Sequence, residues 1–340
     1  MNIGLLSTFV YFNHEGLLNI MTNNKNDIDT QISQRLREIN KRLKPLIERE
    51  EKARELFSKI PPAKLFVGVL GVNVKFDIFT IIDEFIAIRK ISNPPGIIHI
   101  CRASNLSKSN YLSVSRYSHL IKAEITLGCS SLNEDKMNYK SLLDCAWHFA
   151  VLLKLKGCDS IFCPFAASSS WDIISSISDN SVIFYELDTP SRQIITPSVI
   201  KNIKLEDLNW IKSNWFSAYE LRDKNISNRF GLALKYMYIW NHTQDPRIAI
   251  LNLWVGLEAL FGVRSDRKVK EALAQRISDW VLSVSKDKVK HLYERRCDAV
   301  HGRQINEEDF IKYIKETEKL LRLSLLKCIE EKRRTIDDWK

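Results

Sequence analysis

The hydrophobic pattern changes at about residue 205, and this change constrains the fold more than any other feature of the sequence. Between residues 64 and 188 the chain contains short β-rich runs and one segment, 140–156, with the apolar spacing of a helix. The β-rich runs are 65–74, 97–101, 119–127, 160–165 and 182–187. Beyond residue 205 the apolar spacing is helical throughout. The sequence therefore predicts an α+β fold, in which an N-terminal α/β-type domain with short strands precedes an all-helical bundle.

A length of 340 residues favours two domains, and the pattern gives their boundaries. We expect an N-terminal extension with a long helix in residues 1–60, an α/β domain in 61–190 and a helical domain in 205–335, with a proline-containing linker at 187–197. Strands that alternate with a helix fit either α+β or α/β pairing, so the strand order stays open. The middle domain has no catalytic signature, and a sensing, substrate-selecting or oligomerising role is expected.

Residues 27–58 have the composition of a long polar helix with one apolar seam. The seam residues recur at alternating steps of four and three, as in a heptad repeat: Ile32, Leu36, Ile39, Leu43 and Leu46. This seam fits either a coiled-coil dimer contact or packing onto the protein's own core, and Pro45 is expected to bend the helix. The start of the chain stays open between Met1 and Met21. An ordinary soluble sequence begins at Met21, which favours residues 1–20 being an extension that is not part of the protein.

Capping residues predict where the helices of the C-terminal region begin and end. Asp245 precedes Pro246 as an N-cap, and Gly262 follows a strongly apolar segment, 247–261. Gly302 likewise ends a predicted helix at 286–301. The other helices are predicted at 205–221, 228–240, 269–283 and 307–331.

Charge and cysteine content limit the classes of function. Lys and Arg total 51 against 41 Asp and Glu, which gives a net charge of +10 and favours nucleic acid as a partner. Because the charge is dispersed along the sequence, a protein that binds no acidic partner fits equally well. The seven cysteines include no Cys-x2-Cys pair, so reduced thiols in a cytoplasmic protein are expected and no metal site is predicted. No apolar run approaches the length of a membrane span. The sequence contains no phosphate-binding loop and no dinucleotide-binding motif, so no cofactor is expected.

The segment from Tyr293 to Gly302 carries the side chains best suited to a reaction. Arg296 offers a planar guanidinium that suits a phosphate, and His301 offers an imidazole, a group that exchanges protons near neutral pH. RNA self-cleavage needs both, because a proton must move while charge at the phosphorus is stabilised. One histidine cannot easily be acid and base together, whereas a two-fold dimer would supply two copies. Taken alone, the pair also fits a surface Arg beside a His at a helix C-terminus.

Two elements in this order resemble the Apea-like branch of the HEPN families. The first is Leu253-Trp-Val-Gly-Leu-Glu-Ala-Leu-Phe-Gly262, and the second, some thirty to forty residues later, is the Tyr-x2-Arg-x4-His-Gly segment that ends at Gly302. The resemblance covers residues 228–330. It implies a bundle of four or five helices that dimerises and, in active members, cleaves RNA without metal and leaves a 2′,3′-cyclic phosphate. Many such proteins act in phage defence or as toxins.

Carried onto this chain, the resemblance makes Arg296 the phosphate-binding residue and His301 the acid and base. Arg295 also fits a looser Arg-x5-His spacing, so either arginine can enter the site. The small polar residue that often follows the Arg is replaced by Cys297, and Asp298 either substitutes for it or is solvated. The supporting positions are Glu258, which either orients Arg296 or is simply exposed on its helix face, with Tyr293, Arg295 and Asp298. The substrate-binding positions are Lys290 and Arg303, although a solvated helix face explains the positive charge around the motif nearly as well.

The expected partners are RNA, a second copy of the chain through the helical bundle, and a regulatory partner for the N-terminal domain. The sequence thus predicts a metal-independent endoribonuclease. Two alternatives stay open: a non-catalytic HEPN module that binds RNA or a protein partner, and an assembly scaffold.

Overall fold

The computed structural model describes residues 64–82, 85–104, 114, 117–128, 139–187, 200–222, 228–262, 269–303 and 306–333. The predicted extension and helix of residues 1–60 lie outside them, and so does nearly all of the expected linker. Residues Pro62–Lys340 form one compact unit. Within this unit a sheet region comes first and helices follow it, so the predicted α+β class is confirmed.

A six-stranded antiparallel sheet is the centre of the first part of the chain. In chain order the described strands are β1 (Lys64–Val69), β2 (Val72–Asn73), β3 (Ile78–Ile82), β4 (Ile86–Lys90), β5 (Ala123–Gly128), β6 (Phe165–Ala167), β7 (Phe184–Glu186) and β8 (Lys201–Asn202). The sheet has the order β3-β4-β5-β1-β6-β7, and every neighbouring pair in it is antiparallel. Strands β2 and β8 form a separate parallel pair. Antiparallel pairing thus decides between the two arrangements that the sequence left open.

The predicted strand at 97–101 is wrong, because this segment is the helix α1 (Ile97–Ala103). Its isoleucines suggested a strand, but Gly96 stands at the N-cap and its N–H donates to Nδ1 of His99 at 3.2 Å. Ile100 is buried while Ile98 is exposed, as one face of a helix requires. The hairpin of β3 and β4 was not predicted.

The two faces of the sheet are covered differently. One face carries Val67, Ile88 and Ile125, which are fully buried beneath α2 (Tyr139–Leu155), a helix that contacts β5, and α3 (Leu205–Leu221), which contacts β3. The opposite face is covered over β1 and β6 by a second core that contains Phe162 and Trp171. Beside β3 and β4 this opposite face lines a cleft of about 430 Å³.

The helices of the C-terminal region begin and end close to their predicted positions. They are α4 (Arg229–Ile239), α5 (Pro246–Phe261), α6 (Val269–Trp280), α7 (Lys286–Val300) and α8 (Glu307–Glu330). The Asp245 side chain accepts from the N–H of Arg247 at 2.8 Å, so the predicted cap of α5 is confirmed. Helix α6 ends before the predicted residue 283.

Helix α5 is the central helix of this region, because it contacts α4, α6, α7 and α8. Its Trp254 is fully buried. Gly256 faces Leu321 of α8. A Cβ atom at this position would lie 2.8 Å from Cδ2 of Leu321, so an alanine here would require the buried Leu321 side chain to shift.

A buried polar cluster joins α2 to the helical region. The Lys154 side chain is fully buried and donates to the Tyr238 carbonyl at 2.5 Å and to Oδ1 of Asn241 at 2.6 Å. Glu318 of α8 is buried as well, with its Oε2 3.3 Å from Nη2 of Arg322. A buried ammonium group such as that of Lys154 is tolerated because hydrogen bonds replace its contacts with water.

Candidate functional site

Helix α7 carries the Arg-x4-His motif at its C-terminal end. The helix begins at Ser285, whose hydroxyl accepts from the N–H of Lys288 at 3.3 Å, and it contacts α5, α6 and α8. The chain leaves it at His301 and turns at Gly302, which has a φ of 67°. Because three helices surround α7, side chains that are neighbours in sequence meet different partners.

Arg296 lies in the interface between α7 and α5. Its Nη2 is 3.4 Å from Oε1 of Glu258, and its guanidinium lies over the ring of Tyr293 at 5.5 Å. Tyr293 in turn packs edge-to-face against Trp254, with the ring centroids 5.2 Å apart. Burial raises the pKa of the Glu258 carboxyl above its usual range, and Arg296 opposes this shift. The structure therefore brings Glu258, Tyr293 and Arg296 together.

Arg295 is held elsewhere, with Asp298. Its Nη1 is 2.9 Å from Oδ2 of Asp298, and its guanidinium lies 5.8 Å from the Tyr313 ring of α8. Arg303 reaches the other oxygen, Oδ1, at 3.0 Å, and its backbone N–H donates to the Asp298 carbonyl. Asp298 is only 7% exposed. Of the two roles left open for Asp298, simple solvation is wrong, since its carboxylate is buried and joins the helix end to the following turn.

His301 presents its side chain to solvent at the end of α7. Its backbone N–H donates to the Cys297 carbonyl at 3.0 Å, which fixes the backbone at the cap. Within the described part of the chain, the imidazole makes no hydrogen bond or ion pair, and Arg295 and Arg296 pair with Asp298 and Glu258. An exposed imidazole of this kind can exchange protons with a bound substrate.

The cations around the motif are paired with carboxylates of neighbouring helices. Nζ of Lys290 is 2.6 Å from Oε2 of Glu271, and this hydrogen bond raises the pKa of Lys290. Lys288 is likewise 2.6 Å from Glu316 of α8. Arg303, with 72% of its side chain exposed, is the most accessible of the predicted substrate-binding cations. Glu271 and Glu316 could not be identified from the sequence, because residues on other helices show no fixed spacing from the motif.

The described residues include no group of three or more His, Cys, Asp or Glu side chains that could hold a metal ion. No helix among them has the length and apolar character that crossing a membrane requires.

Comparison of the chain with protein-family models, with curated proteins and with solved structures gives no match.

Proposed function

We propose that the helical region is a metal-independent endoribonuclease of the HEPN type that works as a homodimer. Arg296 binds the scissile phosphate, and His301 transfers protons between the attacking 2′-hydroxyl and the leaving 5′-oxygen. The products end in a 2′,3′-cyclic phosphate and a 5′-hydroxyl. One observation carries the proposal: an exposed imidazole ends α7, and the same helix carries the Arg296 guanidinium that Glu258 of α5 and Tyr293 of α7 hold in place.

The contacts of Arg296 leave it able to bind a phosphate. Its Nη2 faces Glu258, whereas its Nη1 donates to none of the residues that the structure describes. About a quarter of the side chain is exposed, so a phosphate oxygen can approach the free edge of the guanidinium. A guanidinium that a carboxylate already orients loses little freedom when it binds, which favours tight charge-assisted hydrogen bonds.

Dimerisation supplies the second proton-transferring group. Attack by the 2′-hydroxyl needs a base and departure of the 5′-oxygen needs an acid, and His301 of one protomer cannot hold both protonation states in one step. A two-fold axis near the end of α7 would bring a second His301 to the same phosphate. Val300, which is 46% exposed beside His301, supplies apolar surface for such a contact.

A non-catalytic module that binds RNA or a protein partner is the second candidate, and the paired cations favour it. Lys288 and Lys290 are neutralised by carboxylates, and Arg295 by a buried one. This pairing weakens the positive potential that draws RNA to a nuclease site. In the nuclease, the sheet region selects the target or restrains the helical region, in the setting of phage defence or of a toxin.

The two candidates differ in an RNA-cleavage assay with EDTA present. We would incubate total cellular RNA with the full chain, with His301→Ala, with Arg296→Ala and with His119→Ala, a control that changes an exposed histidine of the sheet region. If the protein is a nuclease, we expect the wild-type chain to give discrete fragments with cyclic-phosphate ends. The cleavage rate should fall by roughly a hundredfold or more in His301→Ala and Arg296→Ala, but not in His119→Ala.

Equal cleavage by the wild-type chain and His301→Ala would contradict this assignment of the site. Salt-sensitive RNA binding by a folded dimer that cleaves nothing would support the second candidate.

A further inference from the structure

The cleft beside β3 and β4 lies apart from the Arg-x4-His motif and has the size of a small-molecule site. Its volume of about 430 Å³ falls within the range of ligand pockets, roughly 300–1,000 Å³. Apolar side chains form most of its wall, among them Phe66, Ile78, Phe85 and Ile173. Ile78 is 60% exposed and Ile173 is 51% exposed, so much apolar surface faces water here.

A buried polar network forms the other part of the wall. Glu124 of β5 is fully buried, and its carboxylate accepts from Nε of Arg89 at 2.5 Å, from the Ser170 hydroxyl at 3.1 Å and from the Trp171 N–H at 2.8 Å. Nη2 of Arg89 also contacts the Ser170 hydroxyl. Arg89 and Ser170 both line the cleft. The guanidinium is therefore held in one orientation before any ligand binds.

The charges at this end of the cleft restrict what it can accept. Two carboxylates oppose the single charge of Arg89, since Oδ2 of Asp172 lies 3.8 Å from its Nη2 and Glu124 is bonded to its Nε. Within the described residues, Nη1 of Arg89 donates to no acceptor. The N–H groups of Nη1 are thus free to donate to a ligand, and this end of the cleft carries no net positive charge.

We propose that this cleft binds a small uncharged molecule with an apolar body and a carbonyl head group. The carbonyl oxygen accepts from Nη1 of Arg89, and the body covers Ile78 and Ile173. The carboxylates of Glu124 and Asp172 would repel an anionic head group. A pure hydrocarbon would remove water from the Arg89 N–H donors without replacing the lost hydrogen bonds. The site gives the sheet region a ligand-binding role that the proposed nuclease activity does not require.

Octanamide tests the proposal, because it combines an eight-carbon body with an uncharged carbonyl. Isothermal titration calorimetry on the full chain is expected to show saturable one-to-one binding. Octanoate, which differs by its charged head, is expected to bind at least about tenfold more weakly. Absence of saturable octanamide binding, or equal affinity for octanoate, would overturn the proposal.

Matched variants locate the site. Ile78→Asp places a charge on the apolar wall and is expected to weaken octanamide binding about tenfold or more. Ile98→Asp is the control, since Ile98 is 63% exposed and lies on α1 outside the cleft. Arg89→Lys keeps the charge opposite Glu124, removes the guanidinium donors and is expected to weaken binding as well. Circular dichroism would establish that each variant is folded, and equal weakening by Ile78→Asp and Ile98→Asp would exclude this cleft.

Discussion

Arg295 and Arg296 are neighbours in sequence, but α7 holds their side chains on different sides. Arg296 reaches Glu258 on α5, whereas Arg295 reaches Asp298 and the ring of Tyr313 on α8. Successive helical residues point about 100° apart, so one arginine at most can share a face with Tyr293. That arginine is Arg296, three residues later. At the scale of single residues, helix packing thus gives different partners to the two arginines whose spacings from His301 both fit the motif.

Glu258→Gln tests whether the orientation of Arg296 matters to RNA cleavage. The substitution keeps the shape of the side chain and removes the charge that attracts the guanidinium. We expect kcat/KM for RNA to fall by roughly tenfold to a hundredfold, because a misplaced phosphate ligand costs transition-state stabilisation.

Glu294→Gln is the control for this prediction. Glu294 is an exposed glutamate of α7 whose carboxylate pairs with Lys270 at 3.1 Å instead of with Arg296. Equal kcat/KM values for Glu258→Gln and Glu294→Gln would show that the ion pair has no part in the reaction.

At the scale of elements, helices were predicted more accurately than strands. The ends of α5 and α7 follow from residues next to them, such as Asp245 and Gly302, and local signals of this kind can be read in one sequence. A strand is stabilised by a partner that lies far away in the chain. The local sequence therefore does not predict the short hairpin of β3 and β4, and it predicts a strand where the isoleucine-rich segment forms α1.

The candidate site shows the same limit. Glu258, Tyr293 and Arg296 belong to two motif segments, so their meeting between α5 and α7 could be expected from the sequence. The partners of Lys288 and Lys290 could not, because Glu316 and Glu271 lie on helices whose rotation about their own axes only packing determines.

Two glycines within helices are expected to respond oppositely to substitution by alanine. Gly256→Ala would place a methyl group 2.8 Å from Leu321, and we expect it to lower the free energy of unfolding by about 1–3 kcal/mol. Gly231→Ala meets its nearest atom at 3.5 Å, so the better helix propensity of alanine should leave stability unchanged or raise it by about 0.5–1 kcal/mol. Urea denaturation measures both, and a stable Gly256→Ala would mean that α5 and α8 pack less closely than described.

At the scale of the whole molecule, α2 connects the sheet to the helical region. It contacts β5 on one side and α3, α4 and α8 on others, and it is buried along nearly all of its last two turns. Lys154 makes its hydrogen bonds to the end of α4, and Glu318 lies in the same polar cluster. The protonation state of this cluster therefore affects the packing between both parts of the compact unit.

The stability of the chain is expected to depend on pH through Glu318. Burial, together with the nearby charge of Asp159, raises the pKa of Glu318 from the ordinary glutamate value of 4.5 to about 7. Burial lowers the pKa values of His148 and His242 to about 3, so these two groups make the free energy of unfolding rise with pH below about 6.5. Because the folded state retains on Glu318 a proton that the unfolded chain releases, the contribution of Glu318 to the free energy of unfolding should fall as pH rises from about 4.5 to about 7. Glu318→Gln should remove this fall and raise the free energy of unfolding at about pH 8 by about 2 kcal/mol.

Urea denaturation at several pH values measures this effect. Glu220→Gln, at an exposed position on α3, should follow the wild-type curve. A Glu318→Gln variant with the wild-type pH dependence would show that another group causes it.

The position of β1 in the sheet affects the order of events during protein synthesis. Among the strands that the structure describes, β1 is made first but lies in the interior of the sheet, and its two partners are β5 and β6. Of these same strands, β3 and β4 alone form a hairpin before β5 is made, so β1 has no described partner on the ribosome until Ala123–Gly128 has been translated. Its apolar sequence is exposed during that interval to aggregation or to chaperones. The rate of translation through the segment between β1 and β5 thus becomes a factor in the yield of folded protein.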